Sequence, residues 1–220
     1  EPCTIAEIKS YKPENNSICS GQVLQCPYTF EKTRIVVREM AEMMALDLVD
    51  KGMVTDQMVL TVGYDIENLS DPVIRKAYKG EITIDRYGRS VPKHSHGTQN
   101  LSEFTNSTYE IIENTLKLYD RIINRDLLIR RITLTANHIK KEQDIVQKET
   151  YEQLDLFTDY AAVEKEKQEK EEKLQKEKKL QHAMLEIKKK YGKNAILKGT
   201  NFEEGATSID RNQRIGGHKA

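Results

Sequence analysis

The feature that most constrains the fold is a regular change of hydrophobic period between residues 22 and 137. Two long segments, beginning near Phe30 and at Ser107, repeat apolar residues every three or four positions, which is typical of helices that bury one side. Four shorter runs around them are typical of strands, two because they are short and apolar or β-branched and two because they alternate with a period of two residues. The order strand, helix, strand, strand, helix, strand predicts an α+β fold.

The boundaries of these elements follow from local signals. Thr29 can cap the first helix, and Lys51-Gly52 provides a cationic last turn and a stop. Ser107 and Glu110 have the spacing of a capping box at the start of the second helix, which we extend to Asn124. The predicted strands are residues 22–28, 58–64, 90–101 and 128–137.

This β-α-β-β-α-β order predicts a four-stranded sheet with both helices on one face. Ile132, Leu134 and Ala136 of the last strand would point to that face. The alternate residues of the strand are polar or basic. The opposite face is therefore predicted to stay open for a ligand.

Overall charge gives no general attraction to nucleic acid. Lys plus Arg and Asp plus Glu are both 35 in 220 residues, so any nucleic-acid contact must come from a local patch. Charged residues are 32% of the chain, against roughly a quarter in ordinary domains. We therefore expect one globular unit with appendages that have no core of their own.

Composition divides the chain into five segments. Residues 1–20 are predicted to be a tether, 21–139 a folded domain, 140–160 a connector, 161–191 a solvated charged helix and 192–220 a flexible tail. More than half of the residues in 161–191 are charged, and its only apolar stripe is Leu180, Met184, Ile187 and Tyr191. Because the chain starts at Glu1 followed by Pro2, we expect it to be part of a longer protein.

Several classes of function find no support in the sequence. No apolar run approaches the ~20 residues of a membrane helix, and no secretion signal opens the chain, which favours a cytoplasmic protein. Cys3, Cys19 and Cys26 lack the spacing of a zinc knuckle or a disulfide framework. No catalytic motif is present, and Asp65 with Glu67 is better interpreted as a turn than as a metal pair.

The connector contains the most specific motif. Residues 153–157, Gln153-Leu154-Asp155-Leu156-Phe157, resemble the pentapeptide that binds the bacterial sliding clamp. Leu156 and Phe157 can enter an apolar pocket, while the Gln153 amide anchors the entrance and Asp155 faces water. The alternative is that Leu154, Leu156 and Phe157 pack against their own domain.

The open sheet face is the second candidate site. Its predicted contact residues are Arg131, Thr133, Thr135 and Asn137 on the last strand and Lys93, His94 and His96 on the third. Such side chains suit phosphate oxygens, whose contacts hold nucleic acid without reading its sequence. An ordinary solvated sheet face is the alternative.

A metal site at His94 and His96 is a further possibility. Histidines two residues apart on a strand share a face and could be two ligands of a metal site. No cysteine or third histidine is near them in the sequence, so phosphate contact or simple exposure is favoured. We therefore predict no metal, catalytic residue or cofactor in this chain.

The order of elements and several segments resemble the C-terminal region of UmuC-like Y-family translesion DNA polymerases. The resemblance lies in QCPYTFEKTRIVVREM, LVDKGMVTDQMVLTVGYD, VPKHSHGTQNL and LLIRRITLTANHI, with QLDLF following where such polymerases carry a clamp motif. It covers roughly residues 1–160, and the ending RNQRIGGHKA is also similar to members from Firmicutes.

This resemblance implies that residues 21–139 form the little finger, which grips primer-template DNA by its sheet during damage bypass and the SOS response. Residues 1–20 would end the thumb and cross to it. The catalytic carboxylates and their Mg²⁺ ions lie in a palm domain that this chain lacks. The chain alone would then not be an enzyme, whereas its parent would be a DNA-directed DNA polymerase, a nucleotidyltransferase associated with the nucleoid.

The implied partners are primer-template DNA, the bacterial sliding clamp and the palm, fingers and thumb of the polymerase. The alternative function is a free-standing ferredoxin-like adaptor that binds RNA or protein, with a self-associating charged helix. RNA-binding sheets of this kind carry exposed aromatic residues, which the predicted open face lacks.

Overall fold

The computed structural model describes residues 4–10, 16–145, 160–215 and 218–219. The helices and strands are α1 (Ile5–Ser10), β1 (Ile18–Tyr28), α2 (Phe30–Asp50), β2 (Met53–Tyr64), α3 (Pro72–Ala77), β3 (Ile82–Ile84), β4 (Ser90–Pro92), β5 (Ser95–Thr105), α4 (Thr108–Ile122), β6 (Ile129–Asn137), β7 (Lys140–Lys141), α5 (Tyr160–Tyr191), α6 (Ser208–Asn212), β8 (Arg214–Ile215) and β9 (His218–Lys219). Short 3₁₀ turns lie at Ile66–Leu69, Glu142–Asp144 and Gly199–Phe202.

The main sheet has the order β1-β6-β2-β5, with every neighbouring pair antiparallel. Helix α2 connects β1 to β2 across β6, and α4 connects β5 to β6 across β2. In each β-α-β unit, the two strands are therefore separated in the sheet by a strand that belongs to the other unit. The predicted α+β fold is confirmed, with one addition, since the short strand β7 pairs with the start of β2.

The core lies between the sheet and the two helices α2 and α4. Its fully buried members from the helices include Val36, Val37, Met40, Leu48, Ile111, Leu118 and Tyr119, and those from the strands include Met58, Leu60, Val62, Ile132, Leu134 and Ala136. The alternating strand residues and the helical stripes therefore meet as their periods predict.

Both predicted helix starts are confirmed by their caps. The Lys32 amide donates to Thr29 Oγ1 at 3.5 Å, and the Glu110 amide donates to Ser107 Oγ at 3.3 Å. Each bond satisfies one of the amides that the first helical turn leaves without a carbonyl partner.

Tyr119 joins α4 to the start of α2. Its ring centroid lies 4.8 Å from that of Phe30, and its hydroxyl donates to the Phe30 carbonyl at 2.8 Å. Burial raises the pKa of the Tyr119 hydroxyl far above its ordinary value, so the proton of this bond is retained across the physiological range.

We expect Tyr119→Phe to lower the free energy of unfolding by about 1–2 kcal/mol, because the buried Phe30 carbonyl loses its side-chain donor while the packing stays. Urea denaturation followed by circular dichroism measures this change. Tyr109→Phe is the matched control, since Tyr109 is 69% exposed on the same helix. Equal stability of the two variants would contradict the prediction.

Two strands are longer than their sequence patterns indicated. β1 begins at Ile18, inside the segment expected to be a tether, and Ile18 pairs with Ala136. β2 begins at Met53, where Met53 and Val54 pair with β7. The pattern hid this extension because residues 18–22 and 55–57 are largely polar, and a bulge follows Thr55.

The predicted third strand is two strands. Ser90–Pro92 pairs with β3 in a separate hairpin, whereas Ser95–Thr105 pairs with β2. The chain changes partner at Lys93 and His94, which therefore belong to a connection. The region expected to be loop also contains β3 and the 3₁₀ turn at Ile66–Leu69, which Asp65 starts by accepting from the Glu67 amide at 2.8 Å.

Helix α5 packs on the domain, although its composition indicated full solvation. Glu177 accepts from Ser107 Oγ at 2.7 Å and from the Tyr109 amide at 3.0 Å, at the start of α4. Gln181 is 4% exposed and donates to the Asn106 carbonyl. Of the predicted apolar stripe, Met184 is 8% exposed, whereas Leu180 is 60% exposed.

Residues 192–215, expected to be flexible or to order only on a partner, lie on α2 and β1. Glu39 of α2 accepts from the Thr207 and Ser208 amides at 2.8 and 3.1 Å, and from Ser208 Oγ at 2.6 Å. Arg211 donates to Ser20 Oγ at 2.8 Å. The prediction rested on the low apolar content of this segment, whereas hydrogen bonds to the buried Glu39 and the half-buried Ser20 hold it in place.

None of the helices in the described part of the chain is both long and apolar enough to cross a membrane.

Candidate nucleic-acid interface

The sheet surface opposite α2 and α4 is formed by alternate residues of four strands, and we call it the open face. It comprises Cys19, Gly21 and Val23 of β1, Arg131, Thr133, Thr135 and Asn137 of β6, Gln57, Val59, Thr61 and Gly63 of β2, and His96, Thr98 and Asn100 of β5. None of these positions is acidic, and none carries a Phe or Tyr ring.

Strand register arranges these residues in cross-strand rows. Asn137, Gln57 and Asn100 form one row, in which Asn137 Nδ2 donates to Gln57 Oε1 at 3.0 Å and Gln57 Nε2 donates to Asn100 Oδ1 at 2.8 Å. The bonds fix the three amides relative to one another. Each amide keeps further donor or acceptor capacity toward solvent.

Two rows further along the strands, one row consists of Thr133, Thr61 and His96. Thr61 Oγ1 and His96 Nδ1 are 2.8 Å apart. This contact leaves the other ring nitrogen of the exposed His96 available to a ligand. A hydroxyl and an imidazole therefore lie side by side on the two strands.

Arg131 supplies a full positive charge to the open face. It is exposed and lies between Val23 of β1 and Gly63 of β2. A Cβ at Gly63 would lie 3.4 Å from Arg131 Cβ, so the glycine leaves room for the stem of the arginine. Within the described ranges, no salt bridge engages Arg131, and its guanidinium can bind an external anion.

Sequence reasoning placed seven residues at this site, and the structure brings five of them onto one face. Those five are Arg131, Thr133, Thr135, Asn137 and His96. Lys93 lies outside the strands and forms a 2.6 Å ion pair with Glu81, and His94 is exposed beside it in the connection. Neither residue belongs to a cross-strand row, because both lie in the connection between the end of β4 and the start of β5.

Sequence reasoning missed the polar contribution of β2. Gln57 and Thr61 alternate with the buried Met58, Leu60 and Val62, which is the same signal that identified the face of β6. The prediction of a strand at residues 58–64 rests on its β-branched and apolar residues and assigns none of them to the open face. The alternation was present but was obscured by Val59 and Gly63.

The two histidines considered as metal ligands do not share one strand, because His96 lies on β5 whereas His94 precedes it in the connection. Among residues 4–10, 16–145, 160–215 and 218–219, no group of three His, Cys, Asp or Glu side chains is arranged to hold a metal ion. The clamp-like pentapeptide at residues 153–157 lies outside the described residues.

A family model described as the impB/mucB/samB family C-terminal domain matches residues 15–156. This span contains all four strands of the open face and both helices behind them. No curated protein matches the chain.

Proposed function

The chain belongs to the impB/mucB/samB family through its C-terminal domain, and we propose that its open face grips primer-template DNA. This membership makes the matched region the little finger of a UmuC-like Y-family DNA polymerase that acts in damage bypass. The observation that carries this proposal is a face with exposed Arg131, rows of fixed polar side chains and no acidic residue at its fourteen positions.

The chemistry of the open face matches a requirement of damage bypass. A distorted template changes the shape and hydrogen bonding of its bases, whereas its phosphates keep their charge. Hydroxyl, amide and guanidinium groups bind phosphate oxygens and carry no base identity. A surface of this kind holds damaged and intact DNA alike, and we propose this role for Thr133, Thr135, Asn137 and Arg131.

The remaining partners follow from the family. The family implies a DNA polymerase parent, and the nucleotidyl transfer chemistry of that parent, with its Mg²⁺ ions, would be supplied by the palm rather than by this domain. We propose that the domain acts with the palm, fingers and thumb. We further propose that residues 153–157 bind the sliding clamp and so bring the polymerase to replicating DNA, as part of the SOS response.

Arg131→Ala in the 220-residue chain should weaken binding to primer-template DNA by about three- to tenfold. It should also reduce the slope of log affinity against log salt by about one, because one phosphate contact and its released counterion are lost. Fluorescence anisotropy with labelled DNA at several salt concentrations measures both quantities.

The matched control is Arg34→Ala, which removes an arginine from α2 on the opposite side of the sheet. Arg34 is paired with Asp120 at 2.8 Å, and its loss should leave the affinity for DNA unchanged. If wild-type chain and both variants bind DNA equally, the open face is not the DNA contact. If the wild-type chain binds no DNA, the proposed function is wrong.

A further inference from the structure

The hairpin formed by β3 and β4 ends in a rigid turn, residues 85–89, which we call the hairpin tip. Asp85 Oδ1 accepts from the Tyr87 and Arg89 amides at 2.8 and 2.9 Å, and the Asp85 amide donates to the Arg89 carbonyl at 2.9 Å. Gly88 takes a φ of 76°, which the turn requires and which other residues rarely adopt.

The hairpin tip holds an aromatic ring in solvent close to two guanidinium groups. The Tyr87 side chain is 70% exposed, and the guanidinium carbons of Arg86 and Arg89 lie 5.7 and 5.0 Å from its ring centroid. Ile84, which is 66% exposed, precedes the turn. The turn thus displays a flat apolar surface that the rest of the domain does not cover.

The two arginines of the hairpin tip differ in whether an acidic side chain pairs with their charge. Arg89 forms a 2.6 Å ion pair with Asp85, and this arginine lowers the pKa of the Asp85 carboxyl. Arg86 is exposed and has no salt bridge in the described part of the chain. Arg86 therefore leaves a positive charge beside the exposed ring, while Arg89 serves to hold the turn.

The hairpin leaves the sheet beside the basic end of the open face. Strand β2 ends at Tyr64, and Gly63 pairs with Arg131. In Asp65, the next residue, Oδ2 lies 3.7 Å from Nε of Arg130. The chain enters the hairpin from this end and returns to it at Ser95, where β5 begins.

We propose that the hairpin tip is a second nucleic-acid contact, in which the Tyr87 ring stacks on an unpaired DNA base and Arg86 binds a neighbouring phosphate. This inference rests on the DNA-binding role proposed above. An aromatic ring with adjacent cationic charge is the usual platform for single-stranded nucleic acid, because every base has a stacking face.

The occupant is unpaired DNA rather than duplex or an apolar protein surface. Within a duplex, each base face is covered by its neighbours, whereas a single-stranded template exposes them. A protein partner for Tyr87 and Ile84 would have to cover the Arg86 charge as well, which costs desolvation unless an acidic group is supplied. A phosphate beside each base supplies that negative charge.

The chain contains no tryptophan, so Tyr87→Trp introduces a single fluorescent reporter at the hairpin tip. Adding a duplex with a single-stranded template overhang should quench its emission, because stacking on a base quenches indole fluorescence. The same duplex with blunt ends should quench it much less. Tyr109→Trp, at a position 69% exposed on α4, is the control and should respond to neither DNA.

Affinity provides a second measurement on the same DNA. Tyr87→Ala should weaken binding to the overhang duplex by about five- to tenfold, whereas Tyr87→Phe should stay within about twofold because the ring remains. Unchanged emission of the Tyr87→Trp variant while anisotropy shows bound DNA would overturn the inference and leave the open-face proposal standing. Failure of the wild-type chain to bind either DNA would overturn both.

Discussion

Glu39→Ala is expected to detach residues 198–214 from the domain and to lower the free energy of unfolding by about 2–4 kcal/mol. Glu39 is 4% exposed, and its carboxylate accepts from Asn201, Thr207 and Ser208. Without it, the Thr207 and Ser208 amides, the hydroxyls of the same two residues and the Asn201 side-chain amide lose a carboxylate acceptor. The state in which the segment is released into water then has a lower free energy than the docked state.

Two measurements separate loss of docking from general unfolding. Urea denaturation gives the stability change, and limited trypsin digestion at low enzyme concentration should cut Glu39→Ala early at Lys198, Arg211 or Arg214. The matched control is Glu204→Ala, which removes an exposed ion pair between the same segment and Lys32. It should change neither result, because exposed pairs contribute little.

Unchanged stability together with unchanged digestion of the Glu39→Ala chain would contradict this interpretation of the contact. The outcome bears on how far the folded domain extends. If the expected result is obtained, the domain requires residues that lie more than 160 positions from Glu39 in the sequence.

The sequence was sufficient to predict the core because local periods and tertiary packing agree there. Thr29 and Ser107 cap helices whose apolar stripes face the alternating residues of β6. Such agreement between local pattern and global fold makes an element predictable.

The docked C-terminal segment could not be predicted in the same way. It is held by hydrogen bonds to single side chains, such as the buried Glu39 and the half-buried Ser20, and such bonds produce no periodic pattern in a sequence. Glu39 itself reads as a polar residue on the border of a helical stripe. Only the folded structure shows which distant amides satisfy it.

The open face lies between these two cases. Arg131, Thr133 and Thr135 follow from the alternation of β6, since a buried strand must project every second residue outward. His96 joins them through register, whereas Lys93 was assigned wrongly to the strand because the change of partner after Pro92 has no clear local signal. Pairing between strands is set by contacts distant in sequence.

Changing Leu156 and Phe157 together to alanine should reduce binding to a bacterial sliding clamp by at least about 30-fold, because each buried anchor of such a peptide commonly contributes 2 kcal/mol or more. We expect the wild-type chain to bind with a Kd on the order of micromolar, since ordering a short peptide consumes part of the contact energy. Calorimetry with the purified clamp measures both values.

Asp155→Ala is the matched control within the same pentapeptide, and it should change the affinity for the clamp by less than about threefold, because the proposed binding mode leaves that side chain in water. The double variant should keep the DNA affinity of the wild-type chain, while Arg131→Ala should keep its affinity for the clamp. Such a crossed result would assign the two partners to separate parts of one chain. If the wild-type chain does not bind the clamp, the packing alternative for Leu154, Leu156 and Phe157 is favoured, and the DNA-binding proposal stands on the open face alone.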